Sequence, residues 1–261
     1  MNFYDCFTYN NEELVLDIRL NYLNKFVKKF IIVESRFTHQ GKEKNKFFDI
    51  KNFKKFENKI QYYLIDKFPD NLSNWGRENF QRNYHANVTQ NLHDDDYIMI
   101  SDLDEIPNMR NMKNINKFKY TVFEQLNFSF KFNLINTTHL NWYGTRLCKK
   151  KNLKSPQWLR DQKIKKYSFL KFYKIKWNII NKGGWHFSYL MTSEKIREKI
   201  KSFSHAEFNQ EKYTNINTID EKIKKGVDLF DRDQKYQKVE LDKSFPKMIF
   251  DNKKHLSDWI V

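Results

Sequence analysis

The stretch from Tyr97 to Pro107, Tyr-Ile-Met-Ile-Ser-Asp-Leu-Asp-Glu-Ile-Pro, constrains this chain more than any other. Tyr97 to Ser101 is an apolar run with the length of a buried strand, and Asp102, Leu103, Asp104 and Glu105 follow at once. Acids this dense end such a strand, because unpaired carboxylates in a low dielectric cost several kcal/mol each. The run therefore emerges at the carboxyl edge of a sheet, where open α/β sheets bind ligands. If strand geometry continues, Asp102 and Asp104 point to one side. Two hard oxygen donors there suit Mg²⁺ or Mn²⁺ carrying a diphosphate. The competing reading is an acidic turn at a helix start, which Pro107 also fits. The polar turn His93-Asp94-Asp95-Asp96 just before the strand favours the metal reading.

A chain of 261 residues is long enough for a sizeable core in one large domain or two closely joined ones. Its 39% hydrophobic content is modest, but 24 Phe and 14 Tyr bring enough aromatic area to fill that core. The formal charge of +16 suggests a polyanionic partner or an anionic membrane surface. The excess is mostly Lys amid Asn, Ile and Phe, a bias that an AT-rich genome also produces, so the charge is discounted as a functional signal. No helix-turn-helix, zinc-finger or RRM pattern is present, and no nucleic-acid partner is expected. Cys6 and Cys148 make neither a disulfide framework nor a zinc site, which fits reduced thiols in a cytoplasm. No signal peptide or membrane-spanning run is visible. The expected location is cytoplasmic, peripheral at the inner face of a membrane.

Along the chain, Phe3 to Phe7 reads as an edge strand, and Asn10 with Glu13 as a capping box opening a helix to about Lys25. Val15, Ile18, Tyr22 and Phe26 recur on its core face. Phe30 to Val33 is a buried strand ending in Glu34, and Ile60 to Ile65 is another. A Lys-rich loop, Phe37 to Phe48, lies between them. Trp75 to about Leu92 has helical spacing and carries Arg77, Glu78 and Arg82 near its start. Strands alternating with helices, with acids at strand ends, predict an α/β fold with a mostly parallel, nucleotide-binding sheet flanked by helices. Neither a G-x-G-x-x-G nor a P-loop is present, so a dinucleotide site and an NTPase are not indicated.

The second half changes character. Tyr120 to Leu134, Trp142-Tyr143 and Tyr167 to Trp177 read as antiparallel strands, with a basic loop from Lys149 to Lys166 that holds Trp158, Arg160 and Asp161. Trp158 suits either stacking on a sugar or the core. Gly183-Gly184 precedes Trp185-His186 and sets His186 at a constrained position, evenly balanced between ligand and core residue. Thr192 or Ser193 caps a helix to about Phe203, His205 and Glu207 follow in a loop, and Gly226 ends a helix from Ile216. The tail from Phe245 reads as a docking segment.

Taken together, Asp5-Cys6-Phe7, Asn10-Asn11-Glu12, Ile18-Arg19, Val33 to Thr38, Ile100 to Pro107 and Gly184 to Ser188 resemble glycosyltransferase family 17. That is the family of the β-1,4-mannosyl-glycoprotein 4-β-N-acetylglucosaminyltransferase. The resemblance implies a GT-A fold over 1–261, with a nucleotide-sugar half at 1–108 and an acceptor half, including a smaller antiparallel sheet, at 109–261. It implies inverting, metal-dependent transfer from UDP-GlcNAc, with Mn²⁺ or Mg²⁺ held by Asp102, Asp104 and His186. Glu34 is placed at the uracil and ribose, and Arg77 and Arg82 at the diphosphate. The general base is then Glu207, with Glu105 and Asp161 as the other candidates; Glu105 also suits orienting the metal ligands. Animal members are Golgi proteins with a membrane anchor. This chain shows none, so the expected acceptor is a bacterial or viral surface glycan, lipopolysaccharide or glycolipid. The alternatives are a phosphoryl or nucleotidyl transferase, and a non-catalytic carbohydrate- or nucleic-acid-binding protein whose acidic turn is structural.

Overall fold

The structure, a computed structural model, describes residues 1–164 and 175–261. Its frame is a mixed sheet of eleven strands flanked by helices. β1 (Phe3–Thr8), β2 (Lys29–Ser35), β3 (Ile60–Ile65) and β4 (Tyr97–Ser101) lie in the order β4-β1-β2-β3, all parallel. α1 (Glu13–Leu23) joins β1 to β2, and α2 (Asn74–Asn83) and α3 (His85–Thr89) join β3 to β4. The expected edge strand is thus an inner one. Cys6 enters the apolar cluster on one face of the sheet, Phe7 the cluster on the other. A strand that buries both faces belongs inside a sheet.

α1 buries Val15, Ile18 and Tyr22 as its periodicity predicts. Its expected capping box does not form. Asn11 takes a left-handed φ of 65°, and the helix opens after Glu12 with no side-chain cap. Glu12 turns instead to Lys199, far along the chain, at 2.6 Å. The single helix expected from Trp75 is divided near Tyr84 into α2 and α3.

After β4 come β5 (Glu105–Pro107), β6 (Tyr120–Ser129), β7 (Leu134–Asn136) and β8 (Asn141–Lys149). β8 runs antiparallel to β4, and β6 antiparallel to β8. The antiparallel half therefore continues the parallel half through the β4–β8 seam, where a separate, smaller sheet was expected. The basic loop contains α4 (Pro156–Asp161), capped by Ser155 with Pro156 at its first turn. Lys165, Lys166 and residues 167–174 of the expected strand lie outside the described residues; Trp177 opens β9 (Trp177–Ile180), parallel to β6. β10 (Gly184–Ser188) is followed by α5 (Ser193–Ser202), α6 (Glu211–Thr214), α7 (Ile216–Lys225), β11 (Tyr236–Lys238) and α8 (Lys247–Asp251). Ile249 of α8 and Leu256 enter the main apolar cluster, so the tail docks as expected. No helix of the described residues is long and apolar enough to cross a membrane.

Gly184 positions the functional edge. At φ 136° an added Cβ would lie 2.1 Å from the Ile106 carbonyl oxygen, so only glycine lets β10 approach β5 this closely. The resulting register sets His186 opposite Glu105.

His85, in α3, is fully buried, and neither ring nitrogen has a hydrogen-bond partner. Burial, then the nearby Arg82 charge, push its pKa down to about 3. The unfolded chain therefore takes up this proton first, and the neutral ring's contribution is lost as pH falls from about 6.5 towards 3. Stability should drop by on the order of a few kcal/mol over that window. His85→Leu is expected to flatten that part of the profile, read by urea unfolding at neutral and acid pH. An unchanged acid slope would exclude His85 as its source.

Candidate active site

The acidic turn does not continue as a strand. β4 stops at Ser101, and the chain curls because the fully buried Arg19 gathers it from beneath. Arg19 Nη1 donates to the carbonyls of Asp102, Leu103 and Glu105 at 3.1, 3.0 and 2.9 Å, and Nη2 to Ser101 Oγ at 2.5 Å. Its other donors form a two-pronged pair with Asp5, at 2.8 and 2.6 Å. From above, Phe187 N donates to the Asp104 carbonyl at 2.9 Å.

Curling gives the acids different partners. Asp102 accepts from Arg82 at 3.0 Å and Arg160 at 2.9 Å, one oxygen to each. Burial opposes its ionisation, but Arg160 and Arg82 prevail and hold the carboxyl below its ordinary range. Asp104 instead lies 3.6 Å from His186 Nε2 and 3.9 Å from Lys199 Nζ. Burial again opposes ionisation, and His186 and then Lys199 outweigh it. Glu105 is fully buried and accepts from Arg160 at 2.7 and 2.8 Å, Trp142 Nε1 at 2.7 Å and Asp102 N at 3.0 Å. Both its oxygens are engaged, so it orients the turn and has no free site for an acceptor's proton.

His186 is held on three sides. Trp142 stacks on its ring at 4.7 Å, Asn127 Oδ1 lies 3.0 Å from Nδ1, and Asp104 faces Nε2. With Nδ1–H donated to Asn127, Nε2 presents its own proton to Asp104; burial works against that charge on His186 and the Asp104 carboxylate outweighs it, so a cation held between the two would take the proton's place. Two ligands of one small cation stand about 3 to 3.5 Å apart, given bonds of roughly 2.1 Å. Asp104 and His186 fit such a pair after a small adjustment. Among the described residues no three His, Cys, Asp or Glu side chains converge on one point. Asp102 is engaged by its arginines.

These residues open into a cavity of about 580 Å³, a volume that suits a nucleotide sugar. Arg82, Glu207 and Trp142 line it, as do Tyr9, Glu12 and Lys199, which were not expected. Glu34 does not line it. Its carboxylate is buried beneath the Lys44–Phe48 loop, accepting from Phe47 N, Phe48 N, Lys44 and Tyr62 at 2.7 to 3.1 Å. Arg77 binds the His39 carbonyl at 3.0 Å and packs on Gly41, outside the cavity wall. Asp161 is exposed and accepts from Gln157 at 2.7 Å, also off the wall. Glu207 lies on the wall with His205 Nδ1 at 2.7 Å. Trp158 packs near Tyr120 beside the second apolar cluster, whereas Trp142 is the tryptophan placed against His186. The family model of Glycosyltransferase family 17 matches residues 1–247, nearly the whole chain. No curated protein matches it.

Proposed function

The chain belongs to glycosyltransferase family 17, a family of N-acetylglucosaminyltransferases, and from that premise we propose metal-dependent, inverting transfer of GlcNAc from UDP-GlcNAc to a glycan or glycolipid hydroxyl. The observation that carries this reading is the Asp104–His186 pair at the mouth of β4, beside the arginines gathered on Asp102. A GT-A-type arrangement is part of the proposal, supported by the parallel β4-β1-β2-β3 order with the acids at a strand's carboxyl edge.

Asp104 and His186 would hold Mn²⁺ or Mg²⁺, mixed oxygen and nitrogen donors that suit Mn²⁺. The bound cation supplies Lewis-acid neutralisation of charge on the departing nucleoside diphosphate. Arg82, on the cavity wall, would add its guanidinium charge for the diphosphate. Asp102 fixes Arg82 so that this cation meets substrate already oriented, while Arg160 and Glu105 brace Asp102 from behind the cavity wall. Of the acids weighed as general base, Glu207 combines a place on the cavity wall with a free face, and His205 beside it can share the proton.

The test is a panel of UDP-, GDP- and CMP-sugars offered with Mn²⁺ or with EDTA. Slow hydrolysis of one UDP-sugar is expected with Mn²⁺ and not with EDTA. Absence of nucleotide-sugar binding under every metal condition would overturn the proposal and leave the acidic turn structural.

A further inference from the structure

We propose that Lys199 is a catalytic residue that donates to the β-phosphate of the nucleotide sugar and neutralises the charge left on it; this rests on reading the cavity as a UDP-sugar site. α5 buries Ile196 and Ile200 in an apolar cluster and carries Lys199 to the cavity wall. The Lys199 ammonium lies 2.6 Å from Glu12 Oε1, 3.9 Å from Asp104 Oδ2 and 5.3 Å from the Tyr189 ring centre. An ammonium has three donors. Among the described residues its one hydrogen bond is to Glu12, since Asp104 is beyond hydrogen-bond reach.

Tyr9 Oη and Asn10 Oδ1, on the same wall, are buried with no hydrogen-bond partner. Buried polar groups are seldom left this way unless a ligand or water completes them. Glu12 is buried while 23% of the Lys199 side chain stays exposed on the cavity wall, so the pair leaves the ammonium within reach of a ligand. The left-handed Asn11 also holds Glu12 out of a normal cap so that it reaches Lys199. A cation that shares Asp104 with the proposed metal lies beside whatever anion that metal holds.

In the transfer the bond from the anomeric carbon to the β-phosphate oxygen breaks, and its electron pair stays on that oxygen. The acceptor oxygen bonds to the anomeric carbon from the opposite face, and its proton passes to the base. The leaving diphosphate gains one negative charge, and Lys199, fixed by Glu12, meets it without reorganisation.

The experiment is calorimetric titration of UDP and of UMP, both with Mn²⁺, into the wild type, Lys199→Met, Lys199→Arg and the double variant Lys199→Met/Glu12→Gln. The double variant removes the orphaned acid and guards against misfolding. Lys199→Met and the double variant are expected to weaken UDP by about tenfold or more, as loss of a charged hydrogen bond does, and UMP by no more than about twofold. Lys199→Arg should recover most of the UDP affinity. Equal weakening of UDP and UMP, or weakening of neither, would overturn the proposal. If the wild type binds neither nucleotide, the UDP-site reading itself fails and takes this one with it.

Discussion

Asp104→Asn is expected to cut donor turnover by about two to three orders of magnitude, the scale of losing one preorganised electrostatic element. The same substitution at Asp102 should act differently. Asp104 meets His186 and Lys199, so losing its charge removes one of the two side chains proposed to hold the cation. Asp102 meets Arg82 and Arg160, so its loss frees two guanidinium groups and leaves Asp104 and His186 in place. Mn²⁺ titration in the presence of UDP separates the two. Asp104→Asn should weaken Mn²⁺ by about tenfold or more, and Asp102→Asn should leave it much closer to wild type while raising the KM for the donor. Both changes preserve side-chain volume. Equal loss of Mn²⁺ affinity in the two variants would return Asp102 to the metal.

A second large effect is expected at Arg19, which never touches the cavity. Arg19→Leu leaves the Asp5 carboxylate buried without a counter-charge and three turn carbonyls without their donor. Breaking one side of a buried pair costs about 3–5 kcal/mol. Against a total stability of about 5–15 kcal/mol, that brings the domain close to unfolding. The double variant Asp5→Val/Arg19→Leu removes the orphaned charge. It should regain much of the urea-unfolding stability, while donor turnover stays low because the turn has lost its template. Turnover that returned together with stability would mean that something other than Arg19 shapes the acidic turn.

The parts of this molecule that a reader can take from the sequence are those set by neighbouring residues. β2 and β4 stand out because parallel strands buried on both faces are unbroken apolar runs, whereas β3, a partly exposed edge strand, is legible from its β-branched and aromatic residues. The end of α7 is legible because Gly226 adopts the left-handed conformation at φ 62°. The acidic turn stands out because so many carboxylates rarely adjoin a buried strand. The cations that answer it do not. Arg160 reaches Asp102 across 58 residues and Lys199 reaches Glu12 across 187. In a chain with 48 Lys and Arg, nothing local marks those two. Glu34 shows the opposite failure. An acid at a strand end looks functional, yet two backbone amides, a lysine and a tyrosine satisfy it inside the protein.

The β4–β8 seam bears on how such an enzyme changes over time. Because β4, which carries the acidic turn, is bonded directly to β8 of the antiparallel half, the two halves are not cassettes. Recombination that replaced one half would have to rebuild the seam residue by residue, keeping the register of Tyr97 with Lys149 through Ile100 with Arg146. With the sheet fixed in this way, the parts free to vary are the loops around it.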